Sequence, residues 1–410
     1  MDIKRKYANL AVTVGANVQP GQRLFLQADV ESADFVRLCV EEAYKVGAKE
    51  VIVQWNDQYL GRLEYEYMTL EDLQEVKPYS LDKLQYLMDE KVARLNVHVP
   101  NPGLLEGIDP DKIQKTAMAQ SAPEIRKKFR QYSMNNTTQW SLISIPSKAW
   151  AKKVFPDLSE EEGIDAMWSA ILSAVRVNEE TDHVSNWEQH NKTLHAHNKK
   201  LNDFNFKSIH FKNSKGTDLV VGLVPNHIWS GGQETALNGV VFNPNMPTEE
   251  TFTMPDRNHV DGVVYSTMPL NYGGVLIDEF WLKFENGKVV DFDAKDNKEM
   301  LGRLLDFDEG SRHIGEIALI SHDSPISNTG ILFYNTLFDE NASCHMALGA
   351  AYPMNIKGGS SMSQEELKEN GANTSTQHVD FMFGSSDMSI MGLTQDDQEV
   401  VVFENGNFVF

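Results

Sequence analysis

Two residues near the carboxyl end of the chain, His378 and Asp380, are of types that bind metal ions or transfer protons. They lie two apart in "TQHVDFMFGS", whose Val and Phe content predicts a β-strand. Side chains two apart in a strand project from the same face, so an imidazole and a carboxylate would project together. The pair alone is compatible with a surface accident, a histidine fixed by its own aspartate, or half of a metal site.

Three further segments of the same half of the chain carry ionisable residues. Glu249 and Glu250 follow the proline-rich turn "FNPNMPT", and Glu316 begins the apolar run "EIALI". His345 and Tyr352 lie seven apart in "CHMALGAAY". If that last segment is helical, seven residues make two turns, and the two side chains share a face.

Each segment also has a purely structural explanation. The two glutamates after the turn fit the first turn of a helix capped by Thr248. Glu316 fits an exposed carboxylate at a strand edge, and His345 fits a hydrogen-bonded core histidine. The His378 and Asp380 pair fits a mutual hydrogen bond without a catalytic role. No segment decides the question by itself.

Taken together, these segments suit one metal site. Three carboxylates (Glu250, Glu316 and Asp380) and two imidazoles (His345 and His378) provide enough ligands for a pair of divalent ions. Mixed oxygen and nitrogen ligands favour zinc, cobalt or manganese over magnesium or calcium. The absence of thiolates from the set argues against a structural zinc site of the cysteine type.

Other common catalytic motifs are absent from the sequence. It contains no Walker A pattern, no GxSxG, no HExxH, no CxxC pair, and no GxGxxG after the first predicted strand. His195 and His197 lie in a predicted helix, where residues two apart point about 200° away from each other. They cannot share one ion, and we interpret them as part of a solvated helix.

The composition limits the partners and the compartment. The 410 residues include 59 acidic and 37 basic side chains, a formal net charge of −22, which disfavours nucleic acid and anionic lipid. The chain has no apolar stretch of about 18 residues, and its first residues lack the apolar region of a signal peptide. Cys39 and Cys344 are the only cysteines, so no disulfide framework is expected. We expect a cytoplasmic protein that does not bind membranes.

The first half of the chain alternates between helical and strand patterns. The sequence predicts a helix over about residues 2–15, a strand at Arg23–Ala28, a helix ending at Gly47 and a strand at Glu50–Trp55. The run "VARLNVHV" predicts a third strand, and residues from Pro156 to about 202 are mostly helical. Strand, helix and strand in succession are typical of parallel βαβ units.

The second half of the chain has a sequence pattern typical of β-strands. Asn286-Gly287 and Asn405-Gly406 each separate two alternating runs, which predicts two β-hairpins with type I′ turns. We therefore predict an α/β N-terminal domain with parallel βαβ units over residues 1–204. A β-rich α+β C-terminal domain over residues 205–410 would carry the metal site.

At the candidate site residues, the chain resembles the aminopeptidase T / aminopeptidase S (PepS-type) family of dinuclear metallo-aminopeptidases. The resemblance is carried by "NMPTEETFTMPD", "GEIALISHDSPISNTGILFYNTLFDENASCHMALGAAYP" and "HVDFMFGSSDM". It extends to the amino end, through "KYANLAVTVGANVQPGQ" and "VRLCVEEAYKVGAKEVIVQWND", and so covers nearly the whole chain. Cys344, which precedes His345, has no role that we can assign.

The resemblance implies a set of functional residues, with two divalent ions per chain. The implied metal ligands are Glu250, Glu316, His345, His378 and Asp380. Tyr352 is implied as a catalytic residue beside them. The resemblance also implies a cytoplasmic homodimer whose active sites open onto an internal cavity, with short or unfolded peptides that have a free N-terminus as substrates.

The reaction so implied is hydrolysis of the N-terminal peptide bond by a metal-activated water. Tyr352 would donate a hydrogen bond to the oxyanion. Glu316 or Glu250 would act as the general base while binding metal, and Glu249 is a weaker candidate for that role. Two rival interpretations are a metal-dependent amidase that acts on N-acylated amino acids or other small amides, and a peptide- or metal-binding protein without turnover.

Overall fold

The structure, a computed structural model, describes residues 2–272 and 275–410. The chain forms two compact units, the first comprising Met1–Glu188 and Gln233–Pro247, the second Gln189–Gly232 and Thr248–Phe410. Relative to the predicted division between residues 204 and 205, most of the helix His183–Phe204 groups with the second unit, and residues 233–247 group with the first. Residues 233–247 group with the first unit because a short strand at residues 245–246 pairs with a strand of that unit at residues 140–144.

The helices belong to both units. The α-helices are α1 (Ile3–Leu10), α2 (Ala33–Lys45), α3 (Gln58–Tyr67), α4 (Leu70–Gln74), α5 (Pro78–Asp89), α6 (Pro110–Ser121), α7 (Glu124–Met134), α8 (Lys148–Val154), α9 (Glu160–Ala174), α10 (His183–Phe204), α11 (Lys298–Leu305), α12 (Thr336–Asp339) and α13 (Gln364–Glu369). The predicted helix over residues 2–15 is confirmed as α1 continued by a π-helical turn at Ala11–Gly15.

The strands are β1 (Arg23–Asp29), β2 (Glu50–Asn56), β3 (Ala93–His98), β4 (Trp140–Ser144), β5 (Phe206–Lys212), β6 (Asp218–Leu223), β7 (Glu234–Thr235), β8 (Val241–Phe242), β9 (Asn245–Met246), β10 (Thr251–Thr253), β11 (Pro255–Tyr265), β12 (Leu270–Tyr272), β13 (Val275–Glu285), β14 (Lys288–Asp296), β15 (Ile314–Leu319), β16 (His345–Gly349), β17 (His378–Met382), β18 (Ser389–Thr394), β19 (Glu399–Glu404) and β20 (Asn407–Phe408).

The first unit is built around a parallel sheet, sheet A, with strand order β2-β1-β3-β4-β9. Its central strands are apolar on both faces, as in β1, because helices cover both sides of a parallel sheet. The three strands predicted here are confirmed, and so are the parallel βαβ units.

The second unit contains a long antiparallel sheet, sheet C, with strand order β12-β13-β11-β6-β5-β18-β19-β20 and β14 beside β13. Both predicted hairpins are confirmed, one between β13 and β14 and the other between β19 and β20. Their turns have positive φ at Asn286 (49°), Gly287 (81°), Asn405 (49°) and Gly406 (73°), as a type I′ turn requires.

A smaller antiparallel sheet, sheet B, has strand order β10-β15-β16-β17 and carries most of the candidate site residues. Alternate residues of its strands, Ile317, Met346, Leu348 and Phe381, belong to the same hydrophobic core as sheet C. Because side chains alternate along a strand, the residues between them project from the opposite face. Sheet B therefore has one apolar face and one face that is free to carry polar groups.

Strand β15 contains a β-bulge that helps to arrange that second face. The register with β16 shifts between Ile314 and Glu316. A Cβ atom on the intervening Gly315 would lie 2.4 Å from the carbonyl oxygens of Gly349 and Ala350, so only glycine fits there. The bulge lets Ile314 and Ile317 both enter the core while Glu316 projects to the other side.

No helix within residues 2–272 and 275–410 is both long enough and apolar enough to cross a membrane.

Candidate metal centre

The polar face of sheet B carries a row of three residues across three strands. Glu316 on β15 pairs with Ala347 on β16, and Ala347 pairs with Asp380 on β17. The two carboxylates are thus separated by the smallest chiral side chain, which leaves room above the sheet between them. His345 lies two residues from Ala347 along β16, on the same face.

The first group of candidate ligands comes from β15, from β16 and from the segment just before β10. His345 Nε2 lies 3.4 Å from Glu250 Oε2 and 3.6 Å from Glu316 Oε1. Candidate ligand atoms of Glu250, Glu316 and His345 all lie within 4.8 Å of one another. Glu250 is supplied by the segment immediately before β10, which has no regular secondary structure.

The second group shares Glu316 with the first. His378 Nε2 lies 3.4 Å from Asp380 Oδ1 and 3.9 Å from Glu316 Oε2. Candidate ligand atoms of Glu316, His378 and Asp380 also lie within 4.8 Å of one another. The predicted strand at this place is confirmed as β17, and both of its polar side chains point to one side.

Backbone carbonyls fix the orientation of both imidazoles. His345 Nδ1–H donates to the carbonyl oxygen of Glu340 at 2.8 Å, and His378 Nδ1–H donates to that of Ala350 at 2.7 Å. A carbonyl only accepts, so the proton stays on Nδ1 and each Nε2 faces the carboxylates. This is the arrangement in which a histidine presents Nε2 to a metal ion.

Burial and mutual charge shift the pKa values of these groups. Burial alone would lower the pKa of His345, but Glu250 and Glu316 stabilise its cation, so that its pKa is raised well above the ordinary value. The pKa of His378 is raised to about 10 in spite of burial, because the negative charge of Asp380 stabilises the imidazolium cation. Burial raises the pKa of Glu316, whereas His378 outweighs burial at Asp380 and lowers its pKa. Without another cation, protonated imidazoles compensate the carboxylates.

Two oxygen atoms of the site have no hydrogen-bond partner although they are buried, Glu316 Oε2 and Asp380 Oδ1. Leaving a buried oxygen without a hydrogen bond costs about 1–3 kcal/mol, even where a nearby cation balances its charge. Both atoms belong to the group that contains His378. The donor set of carboxylate oxygens and imidazole nitrogens, with these unsatisfied atoms, fits divalent ions.

The sequence analysis missed a fourth carboxylate beside the site, Glu340. Burial, together with the charges of Asp380 and Glu250, raises the pKa of its carboxyl well above the ordinary range. Its own carbonyl orients His345. Glu340 lies in the 3₁₀ turn Glu340–Ala342 after α12, where no periodic pattern reveals a direction. The available signal was its place in "LFDENASCHMAL", five residues before His345.

Tyr352 lies beside the second group. Its ring centroid is 4.8 Å from that of His378 and 6.2 Å from that of Phe252 on β10. Burial and the charges of Glu316 and Asp380 raise the pKa of the phenol well above its ordinary value. The phenol therefore stays protonated and can act as a hydrogen-bond donor.

The possibility that His345 and Tyr352 share one face of a helix is wrong. His345 begins strand β16, and Tyr352 follows the end of that strand in the loop before a 3₁₀ turn at Pro353–Asn355. The small residues Ala347 and Gly349 allow β15 and β17 to lie on both sides of β16. Tyr352 reaches the site beside His378 of the neighbouring strand β17, and not along a helix face shared with His345.

Several structural explanations are also corrected. No helix begins at Thr248, because the chain runs through Glu249 and Glu250 into β10. Glu249 Oε2 faces His190 Nε2 at 3.9 Å, so this side chain is directed to α10. Glu316 is buried in an inner strand, with 5% of its surface exposed, and is not an edge residue.

Two other candidates keep modest roles. His195 and His197 lie in α10, as predicted. His195 is exposed, but the interpretation as a solvated helix is wrong for His197, which is half-buried and whose ring stacks on Phe408 with 4.1 Å between the ring centroids. Cys344 donates its S–H to the carbonyl of Ile320, and burial raises its thiol pKa to about 11. Such a thiol is unreactive at neutral pH and belongs to the core beneath sheet B.

A buried set of carboxylates and imidazoles with unsatisfied oxygens is typical of metal-dependent hydrolases. Comparison with known proteins agrees. The profile of the peptidase M29 family, thermophilic metalloproteases, matches residues 2–408. Aminopeptidase 2 of Geobacillus stearothermophilus is 45% identical over 405 residues, 99% of this chain and 97% of that protein. Aminopeptidase AmpS of Bacillus subtilis (strain 168) is 45% identical over 404 residues, 98% of each.

A solved structure shows the same fold. Wild-type AmpT from Thermus thermophilus matches with a TM-score of 0.93 and 38% identity, covering 100% of this chain and 99% of that one. The chain belongs to the M29 family of metalloproteases. It is a peptide hydrolase of the aminopeptidase class, and the resemblance to the aminopeptidase T and aminopeptidase S family is confirmed.

Proposed function

We propose that this enzyme removes the N-terminal residue of peptides through a water activated at a two-metal site. Glu250, Glu316 and His345 would hold one divalent ion, and Glu316, His378 and Asp380 the other. The observation that carries the proposal is that these two groups share Glu316, each with one imidazole whose Nε2 faces the carboxylates. Zinc, cobalt and manganese fit this mixed donor set.

Bound ions would lower the pKa of a water molecule, polarise the scissile carbonyl and bind the free amine of the substrate. The protein contributes the geometry around them. Sheet B fixes the Glu316, His345 and Asp380 backbones by strand pairing, and the carbonyls of Glu340 and Ala350 fix the two imidazoles. Such preorganised groups do not need to reorganise during the reaction.

Tyr352 would donate a hydrogen bond from its phenol to the oxygen on which negative charge develops. Its raised pKa keeps the proton on Oη throughout the neutral range. Its ring contacts with His378 and Phe252 restrict the direction of the phenol. A donor held in this way is worth about 10²–10³ in kcat.

Two carboxylates are candidates for the general base, Glu316 and Glu340. Glu316 belongs to both ligand groups, so it would have to accept a proton while binding metal. The ligand groups do not include Glu340, although burial and Asp380 raise its pKa. A carboxylate that is not committed to a metal ion is better suited to accept a proton. Glu340→Gln, which keeps the shape of the side chain, should lower kcat and leave two ions bound if Glu340 is the base.

Further expectations accompany this function. We propose a homodimer located in the cytoplasm, acting on short or unfolded peptides with a free N-terminus. The net charge of −22 favours cationic or neutral partners over nucleic acid.

The test compares a free aminoacyl anilide with its N-acetylated counterpart, before and after chelation and with metal restored. An aminopeptidase cleaves only the free amine, loses that activity with chelation, and regains it with about two ions per chain. Cleavage of the acetylated substrate would support the amidase instead. Two bound ions without cleavage of either compound would support a binding protein.

A further inference from the structure

Each half of the candidate metal centre has one buried asparagine behind it. We propose that Asn341 positions the ligands of the ion at Glu250 and that Asn373 positions those of the ion at Asp380. The inference rests on the proposed two-metal function and assigns to these two residues the geometry of its separate halves. Neither asparagine belongs to the candidate ligand groups.

Asn341 joins the two segments that supply the first group. Its side chain is fully buried. Its Oδ1 accepts the backbone N–H of Glu249 at 2.8 Å, and its Nδ2 donates to the carbonyl of Leu337 at 2.9 Å. A longer contact of 3.5 Å joins Nδ2 to Glu340 Oε1. The donor and the acceptor partners together fix the orientation of the amide.

The segment that carries Glu250 needs such support. Residues 248–250 have no regular secondary structure, so no strand pairing fixes them. Two buried side chains hold the Thr248–Glu249 peptide unit from its two sides: His190 Nε2 donates to the carbonyl of Thr248 at 2.7 Å, and Asn341 Oδ1 accepts the N–H of Glu249. Asn341 therefore sets where Glu250 enters the site. It also stabilises the turn whose Glu340 carbonyl orients His345.

Asn373 acts behind the other half. It is 2% exposed, and its Nδ2 donates to the carbonyls of Gly310 at 2.8 Å and Gly349 at 2.7 Å, with a longer contact of 3.4 Å to that of His313. Three carbonyls around one nitrogen leave the amide a single orientation. Gly349 is the last residue of β16 and pairs with His378.

The same asparagine controls the peptide that orients His378. The carbonyl of Ala350 accepts His378 Nδ1–H at 2.7 Å, and the N–H of that peptide unit, on Ala351, donates to the backbone carbonyl of Asn373 at 3.0 Å. The preceding peptide is held by the Asn373 side chain through Gly349. Asn373 thus fixes both peptide units next to Ala350, and through them the direction of His378 Nε2.

The two asparagines are matched controls for each other. Asn341→Leu removes the bond to the Glu249 amide and should weaken the ion at Glu250 by about 10- to 100-fold, the usual cost of losing a group that orients a ligand. Asn373→Leu should weaken the ion at Asp380 by a similar factor. Each variant should leave the other ion within about threefold of wild type.

The experiment uses the full chain, stripped of metal and then supplied with zinc. Calorimetric titration gives the two binding steps. Crystals grown with one equivalent of zinc give the occupancy of each position from anomalous scattering. The ratio of occupancy at the Glu250 side to that at the Asp380 side should fall in Asn341→Leu and rise in Asn373→Leu, relative to wild type.

The outcomes separate the inference from the proposed function. Wild type without zinc at these positions would contradict the two-metal site itself. Two ions in wild type, with an unchanged occupancy ratio in both variants, would overturn the role of the asparagines alone. If a leucine variant does not fold, as judged by thermal melting of the metal-free chain, Asn341→Ser and Asn373→Ser replace the pair. The serine variants should shift the occupancy ratio in the same directions by about fivefold. If they do not shift it, the proposed role of the asparagines is overturned.

Discussion

The two halves of the candidate metal centre are built in different ways. On the Asp380 side, the candidate ligands His378 and Asp380 come from one strand, β17, and its pairing with β16 fixes their register. On the Glu250 side, one ligand comes from β16 and the other from an irregular segment held by buried side chains. Glu316 joins the two halves from β15.

This difference shows where precision comes from in such a site. A strand delivers alternate residues to one face through its backbone, so the pairing of β17 with β16 fixes the face from which His378 and Asp380 project. An irregular segment has no such repeat, and its position depends on individual hydrogen bonds. Substitutions at a distance should therefore act differently on the two sides: around Glu250 they change the position of the backbone, whereas Asn373 changes the direction of the His378 imidazole.

The largest expected effect removes the residue that the two halves share. Glu316→Gln keeps the shape of the side chain but removes its charge from both ligand groups. We expect zinc to bind at least about 10-fold more weakly on both sides and kcat/KM to fall by at least about 10³-fold, about 4 kcal/mol. Asp380→Asn is the matched control and should weaken one ion only. Two ions bound as in wild type by the glutamine variant would refute the sharing.

Tyr352→Phe tests the chemistry on the Asp380 side without substituting a candidate metal ligand. The phenol is kept protonated by burial and by neighbouring carboxylates, so its loss removes a donor to the oxyanion. We expect kcat to fall by about 10²–10³ with both ions retained and KM little changed. Full activity of the phenylalanine variant, measured by steady-state kinetics, would remove Tyr352 from the mechanism.

The two halves also differ in how far they were predictable from the sequence. His378 and Asp380 lie in a run with clear alternation, and that pattern predicted both the strand and their common face. Glu250 and Glu340 lie in segments without a repeat, so spacing said nothing about their direction. The small residues around Ala347 suggested close approach of a neighbour, but helix and strand both permit it. The residue types of Glu250, Glu316, His345, His378 and Asp380 suggested one joint metal site, and the resemblance to a family then implied the same set as ligands.

The domain division shows a similar limit. Sheet A recruits β9 from residues 245–246, far along the chain from β4. A two-residue parallel strand carries too little pattern to be recognised in a sequence, because strands of ordinary length are about five to six residues. The hairpins at Asn286-Gly287 and Asn405-Gly406 were predictable because a type I′ turn restricts two positions to a few residue types.

The pH dependence of metal binding should report both imidazoles. In the metal-free chain the carboxylates raise the pKa of His345 well above its ordinary value and that of His378 to about 10. At pH 7 both are protonated, so each ion must displace a proton from Nε2. Zinc affinity should rise by up to about tenfold per pH unit for each ion between pH 7 and 9.

Calorimetry in buffers of different ionisation enthalpy counts these protons. Filling both positions at pH 7 should release at least about two protons per chain, one from each imidazole. The His378→Ala variant should release one fewer. If two ions bind without proton release, the imidazoles keep their protons and therefore do not bind the ions. That result would contradict their role as ligands.

The smallest expected effect lies behind the Asp380 side. Asp308 accepts hydrogen bonds from Ser311, Ser375 and Thr376, in the segment that leads into β17. Burial opposes ionisation, but these donors lower the pKa of Asp308 to about 2. Because the carboxyl pKa of Asp308 is lower in the folded chain than its ordinary value of 3.8, the ionised side chain stabilises the fold at pH values above 3.8. This contribution is lost as the pH falls towards 2.

Asp308→Asn should therefore lower the free energy of unfolding by about 1 kcal/mol at pH 7, a value reduced for solvent screening of a partly exposed group. Denaturant unfolding of the metal-free chain should show this difference between pH 5 and 7 and its disappearance as pH falls from 4 to 2. A difference that persists at pH 2 would show that the charge of Asp308 is not its source.

The sharing of Glu316 by two ions is tested most directly by an anomalous difference map of wild-type crystals saturated with zinc or cobalt. The account predicts two peaks about 3.5–4 Å apart, one in contact with Glu250, Glu316 and His345 and the other with Glu316, His378 and Asp380. A single peak, or two peaks that do not both contact Glu316, would contradict it.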